Sequence, residues 1–259
     1  MKIPSAYTPK PRHVPAPVVA VADAAFVNTQ MPTDGAALEV SEKPEVLSQL
    51  DWQSWLPFAA KTYHISANPA DYILKPMLLM PSDIPNRNGI GFPIGELVRF
   101  LPPPMNRQVY RSWVGTPIHI EHANEDCTTA IGVVIDTALR QIKGFGDDKH
   151  WKVMGLLAID KTKDPAIAQK VLSGEINTCS MGCLANSFTC SVCGKPATKN
   201  QFTNCGHITT TDNVNWQLVN HLGAQHLAYL NAHELSPIEL SIVKDPAWCQ
   251  ALSDENLNW

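Results

Sequence analysis

Apolar and polar positions alternate most clearly in the middle of the chain. TPIHIEH (116–122), AIGVVIDTAL (130–139) and WKVMGLLAID (151–160) carry β-branched or alternating apolar residues between turn-rich stretches, and predict neighbouring antiparallel strands. Upstream, Trp52, Trp55 and Phe58 followed by ILKPMLLM and ELVRFL mark the start of globular sequence near Asp51, and Pro102-Pro103-Pro104 marks a loop. KDPAIAQKVLSG has the punctuation of a helix, with Asp164 as N-cap, Pro165 at the first helical position and Gly174 as the stop. It hands the chain to INTCSMGCLA, whose small and apolar alternation predicts a strand bearing Ser180. NVNWQLVNHLGAQHLAYLNA (213–232) spaces its apolar residues near the helical period and predicts a helix, and PIELSIV (237–243) predicts a last strand. Residues 1–45 are rich in Pro, Ala and Val without either period and read as a flexible arm. No internal repeat is visible.

Composition narrows the classes. A chain of 259 residues with 44% hydrophobic residues can bury a proper core without disulfide staples. A formal charge of −4 supplies no broad basic field for phosphates, so a general nucleic-acid or membrane-surface role is not expected. No apolar run reaches the ~20 residues of a membrane helix, and prolines break any signal-peptide core near the start, so a cytoplasmic protein is expected. Seven cysteines, crowded into one region, suit reduced thiols and a metal better than a disulfide framework.

The crowding is densest in CSMGCLANSFTCSVCGKPATKNQFTNCGH (179–207). Cys190 and Cys193 form a CxxC; after an eleven-residue gap, Cys205 and His207 form a CxH. A tight CxxC turn brings two thiolates to one ion, and the second pair closes the tetrahedron that structural zinc prefers, with no coordination position left open. Unliganded loop cysteines or a redox CxxC are the plainer alternatives, but neither needs the second pair. Cys179 and Cys183 flank Ser180 and would point to the opposite face of a strand, which suits buried small side chains better than further ligands.

Ser180 needs a base to be anything but a strand serine. His119 and His122 in GTPIHIEHANED are the candidates; on a strand they face opposite sides and make a poor chelate, while His122, at the strand end before a polar turn, is free to face a cleft. Met181-Gly182 after the serine leaves room for a substrate carbonyl to approach backbone N–H groups.

The order GTPIHIEH, AIGVV, a strand ending in AID, a short helix, LSGEINTCSMG and ELSIVKDPAW resembles the head-maturation (prohead) proteases of tailed phages, of the same broad fold group as the herpesvirus assembly protease. The resemblance spans residues 95–250 and is clearest in the His-bearing strand, in G-x-I-x-x-x-S-x-G from Gly174 to Gly182, and in E-x-S-x-V-x-x-P-A from Glu239 to Ala247. Some of these proteases look similar in carrying a CxxCG and CxH insert after the serine strand. The resemblance implies Ser180 as nucleophile, His122 as general base, and Glu239 as the third member, with His233 and Glu121 as alternatives. An exposed strand carboxylate is the plain reading of Glu239.

The fold expected is α+β: a mostly antiparallel β-barrel-like core with flanking helices and a small zinc-knuckle insert. The arm at 1–45 precedes a protease domain at 46–259 with the zinc-binding insert at 186–210. The function implied is a serine endopeptidase of phage prohead maturation, with a structural zinc loop near its active site. Scaffold and major capsid proteins, and the chain itself, would be substrates, in the host cytoplasm inside the assembling prohead. A homodimer would be in keeping with the fold group. Two rivals differ in class. A non-enzymatic zinc-knuckle module of the virion would bind protein or nucleic acid, although only Lys195 and Lys199 supply cations there. A metallohydrolase would use His119 and His122.

Overall fold

The computed structural model describes residues 38–39, 52–142, 150–198, 201–202, 205–208 and 217–247. Of the 1–45 arm, only Leu38–Glu39 lies among them. The fold is α+β and mostly strands. In chain order it comprises β1 (Leu38–Glu39), α1 (Trp52–Tyr63), β2 (Tyr72–Pro81), β3 (Ile90–Gly91), α2 (Ile94–Leu97), β4 (Pro117–Ile120), β5 (Gly132–Gln141), β6 (Trp151–Asp160), α3 (Pro165–Leu172), β7 (Cys179–Cys190), β8 (Pro196–Thr198), β9 (Gln201–Phe202), β10 (Gln217–His221), β11 (Ala224–Ala228) and β12 (Leu230–Ile242).

β2, β5 and β6 are buried on both faces, and their alternate residues feed two cores. Ile73, Met77, Leu79, Val134, Leu157 and Ile159 enter the larger one. Tyr72, Leu74, Val133, Ile135, Leu156 and Ala158 enter the second, which Trp55, Leu56, Ala59 and Tyr63 of α1 close from outside. Those four share one helix face, so the amphipathic stripe of α1 is what covers this side of the sheet.

The main sheet runs β1-β2-β6-β5-β4-β12-β7-β8-β9, with β3 added beside β12. The expected antiparallel run is present, since β4 pairs β5 and β5 pairs β6. β12 is parallel to β4 and antiparallel to β7, so the strand before His122 and the strand bearing Ser180 flank the strand bearing Glu239. The expected barrel does not close. β1 takes part of the β2 edge at Ile73 and Leu74. β2 and β7 approach each other through a side chain, Cys179 Sγ donating to Leu78 O at 3.3 Å, and not through a strand ladder.

α3 begins as its punctuation predicts: Asp164 accepts from the Ile167 N–H, and Gly174 at φ +78° follows the helix end. The helix expected at 213–232 is instead, over its described part, the β10–β11 hairpin followed by the first residues of β12. Leu222 and Gly223 both have positive φ, the geometry of a two-residue type I′ turn, and this turn outweighs an apolar spacing that fits either period. Among the described residues, no helix is long and apolar enough to cross a membrane.

Candidate active site and metal centre

β7 carries both sites. Cys179, Met181, Cys183 and Ala185 face the larger core together with Leu240 and Ile242 of β12. Ser180 and Gly182 therefore face the other way, and cross-strand pairing sets Ser180 opposite Ser241 and Gly182 opposite Glu239. As the sequence suggests, Cys179 is buried and Cys183 packs against the core. Burial, with the Glu239 charge added, pushes both thiols up to about 12, the behaviour of inert core cysteines.

A β-bulge aims Glu239. The register against β7 slips between Pro237 and Glu239. Leu235 and Pro237 pair with Ala185 and Cys183 on the core face; without the extra residue Ile238, Glu239 would follow them there. The bulge turns it onto the Ser180 face. Its carboxylate is fully buried, not the exposed strand carboxylate that the pattern alone allows.

The carboxylate is held at both oxygens. Oε1 lies 2.8 Å from His122 Nδ1, and Oε2 accepts from Ser241 Oγ at 2.7 Å. Ser241 Oγ in turn accepts the His122 backbone N–H at 3.1 Å. Glu121 and His122 both adopt left-handed conformations just past β4, which turns the chain so that the imidazole reaches back to β12. The ring remains about a third exposed, at 34%, while Ser180 is 9% exposed. Among the described residues, none is hydrogen-bonded to Ser180 Oγ.

The other candidates for the third position are occupied elsewhere. Glu121 Oε1 accepts the Lys244 N–H at 3.0 Å, and His233 Nε2 lies 2.8 Å from Thr189 Oγ1. His119 is buried on β4 with Nδ1 3.4 Å from Thr129 Oγ1. Among the described residues, the His/Cys/Asp/Glu group able to hold a metal does not include His119 or His122.

Gly182 has a different use from the one its position suggests. A Cβ there would fall 2.5 Å from Glu239 Oε1, so the missing side chain makes room for the carboxylate and not only for a substrate. Replacing Gly182 by alanine should push Glu239 off His122 and destabilise the fold by about 1–3 kcal/mol. Thermal unfolding together with an NMR titration of His122 checks this, the imidazole pKa falling toward its ordinary value.

The Glu239 hydrogen bond, working against burial and helped by the Glu239 and Glu121 charges, raises the His122 pKa above the ordinary His value. A raised folded-state pKa stabilises the protein fully below about pH 6.5, and that contribution is lost as pH rises through the folded value. The Glu239→Gln variant should therefore show a flatter decline of Tm above pH 6.5 than the parent. An unchanged profile would remove the pair as its cause.

At the far end of β7 sit the metal-competent residues. Cys190, Cys193, Cys205 and His207 bring their ligand atoms within 4.8 Å of one another. Cys190 Sγ and His207 Nδ1 are 3.8 Å apart, close to the edge of about 3.5 Å of a zinc tetrahedron built from Zn–S and Zn–N bonds. The positive φ of Gly194 and Gly206 lets the chain reverse beside each ligand pair. Burial raises the Cys190 thiol to about 11 against backbone hydrogen bonds from Cys193 and Val192. At Cys205 burial opposes the thiolate, but backbone hydrogen bonds from His207 and Ile208 together with side-chain ones from Cys190 and Cys193 lower the thiol below its ordinary value. N–H groups aimed at sulfur favour the thiolate a metal needs, so the donor set fits a zinc ion.

Ser180 and Cys190 are ten residues apart on one strand, which at ~3.3 Å per residue is roughly 30 Å. The metal centre is therefore remote from the serine, a correction to the expectation of a zinc loop near the active site.

Sequence reasoning missed Ser241, although it stands inside the E-x-S-x-V run. The signal was its spacing: residues two apart on a strand share a face, so a serine two after Glu239 can brace it.

Compared with family models, curated proteins and solved structures, the chain matches none.

Proposed function

We propose that the protein is a serine endopeptidase with Ser180 as nucleophile, His122 as general base and Glu239 as the residue that orients it. The observation that carries the reading is the fully buried Glu239 carboxylate hydrogen-bonded to His122 Nδ1, on the sheet face that also bears Ser180. Burying a carboxylate is costly unless it is paired. A zinc-knuckle module that only binds a partner gives no reason to bury one against an imidazole.

With Nδ1–H donated to Glu239, His122 Nε2 is the basic nitrogen. It takes the proton of Ser180 Oγ as the oxygen attacks a peptide carbonyl. The C–N bond then breaks, and the leaving amine receives that proton from His122. Water, activated by the same nitrogen, hydrolyses the acyl-serine ester and restores the enzyme. Contacts between nucleophile and base tighten in substrate complexes, and this reading requires the same here. Glu239 stabilises the imidazolium through Oε1, while Ser241 satisfies the other carboxylate oxygen, Oε2.

The substrate class follows from the resemblance to prohead proteases: scaffold and capsid proteins of an assembling phage head, and the chain itself. The metal group at Cys190, Cys193, Cys205 and His207 would hold structural zinc, which when bound cross-links the knuckle.

A fluorophosphonate probe tests the assignment. It should add its mass to the peptide containing Ser180, with labelling lost in the His122→Ala variant. Labelling of another residue, or none of a folded chain, would overturn it.

A further inference from the structure

His207 makes two contacts through its two ring nitrogens. Nδ1 faces Cys190 Sγ at 3.8 Å, inside the ligand group, and Nε2 lies 3.2 Å from His221 Nδ1. The two rings are edge to face, with centroids 4.8 Å apart and planes at 83°. One nitrogen of such a pair must carry the proton. A nitrogen that binds a metal cannot carry it, so a metal on Nδ1 leaves Nε2–H as donor and His221 Nδ1 as acceptor.

His221 ends β10, in a hairpin that forms a two-stranded sheet of its own. An isolated two-stranded hairpin is marginal in water. Here Ala228 and Val219 pack in a small apolar cluster with Cys190, Cys193 and Cys205. Ser191 Oγ accepts the Tyr229 N–H at 3.0 Å and donates to Leu227 O at 3.3 Å. The hairpin is thus built onto the knuckle.

We propose that His221 is the outer partner of the metal centre. Its Nδ1 accepts the Nε2–H of His207, which sets the ring so that the metal sits on His207 Nδ1 and ties the β10–β11 hairpin to the ligand loop. Metal-bound histidines usually donate their second nitrogen to such a partner, commonly a carboxylate or carbonyl, and the partner fixes ring orientation. His221 takes that place here. His226, with its ring centroid 6.2 Å from that of His221, is one step further out and serves as the control. None of this depends on the peptidase reading.

The test uses the full chain with zinc ions alone. A long-range imidazole ¹⁵N spectrum of the zinc-loaded parent should show His207 with Nδ1 bound and Nε2 protonated; coordination through Nε2 would overturn the proposal, and so would failure of the chain to bind zinc. In chelator competition, His221→Phe should weaken zinc binding by about 10- to 100-fold, and amide exchange across 217–228 should quicken, while His226→Phe leaves both unchanged. Equal affinity in His221→Phe and parent would also overturn it. If that variant does not fold, the parent spectrum decides alone.

Discussion

Replacing Ser180 by alanine should abolish proteolysis while leaving the fold intact. Loss of a triad nucleophile lowers kcat by a factor on the order of 10⁴ to 10⁶, because the oriented base then has no hydroxyl proton to take and no oxygen is left to attack the carbonyl. The fold should be little affected. The Ser180 hydroxyl is bonded to no described residue, so its removal strands no partner and should cost within about 1 kcal/mol. The measurement is gel-based processing of a scaffold protein, and of the chain itself, by parent and Ser180→Ala proteins of matched Tm. Equal processing by the two would remove Ser180 from the mechanism, whatever the metal centre does.

Stripping the metal should have the second large effect, and on stability rather than chemistry. Structural zinc sites bind with on the order of 10 kcal/mol in isolated knuckles, and that free energy is folding free energy for the loop it closes. Chelation or Cys190→Ser should therefore lower Tm by several degrees and expose the small cluster of Cys190, Ala197, Ile208, Ala228 and Leu230. Labelling of Ser180 should survive, because β4, the last residues of β12 and the first half of β7 are joined by their own ladders, and Ser180 sits roughly 30 Å along the strand from Cys190. The readouts are released zinc, thermal unfolding and probe labelling on one sample. A metallohydrolase would instead lose activity with the fold unchanged, so labelling and turnover separate the two readings.

Part of this geometry is legible in the sequence. The CxxC and CxH spacing named the four residues that converge, because ligands brought together by tight local turns are written in local sequence. Asp164, Pro165 and Gly174 likewise delimit α3 through backbone groups within a few residues of each other. The strands at 130–139 and 151–160 showed because their β-branched and apolar runs stand between turn-rich stretches. The 213–232 segment misled, since its apolar residues fit two periods and the turn at Leu222-Gly223 decides between them. Barrel closure could not be read at all; it depends on whether β2 and β7 exchange ladder bonds across 101 residues of chain.

By itself, the sequence determined the Cys/His group able to hold a metal, the helix caps, the sheet-rich character and the presence of a serine, a histidine and a glutamate in separate motifs. Each depends on neighbours in the chain or on burial along one element. The tertiary structure alone decided that the motifs meet. The bulge at Ile238 turns Glu239 away from the core, two left-handed residues bring His122 back to it, Ser241 braces both, and Gly182 vacates the space the carboxylate fills. These are contacts between strands far apart in sequence, and register and handedness, not residue type, set which side chains share a face.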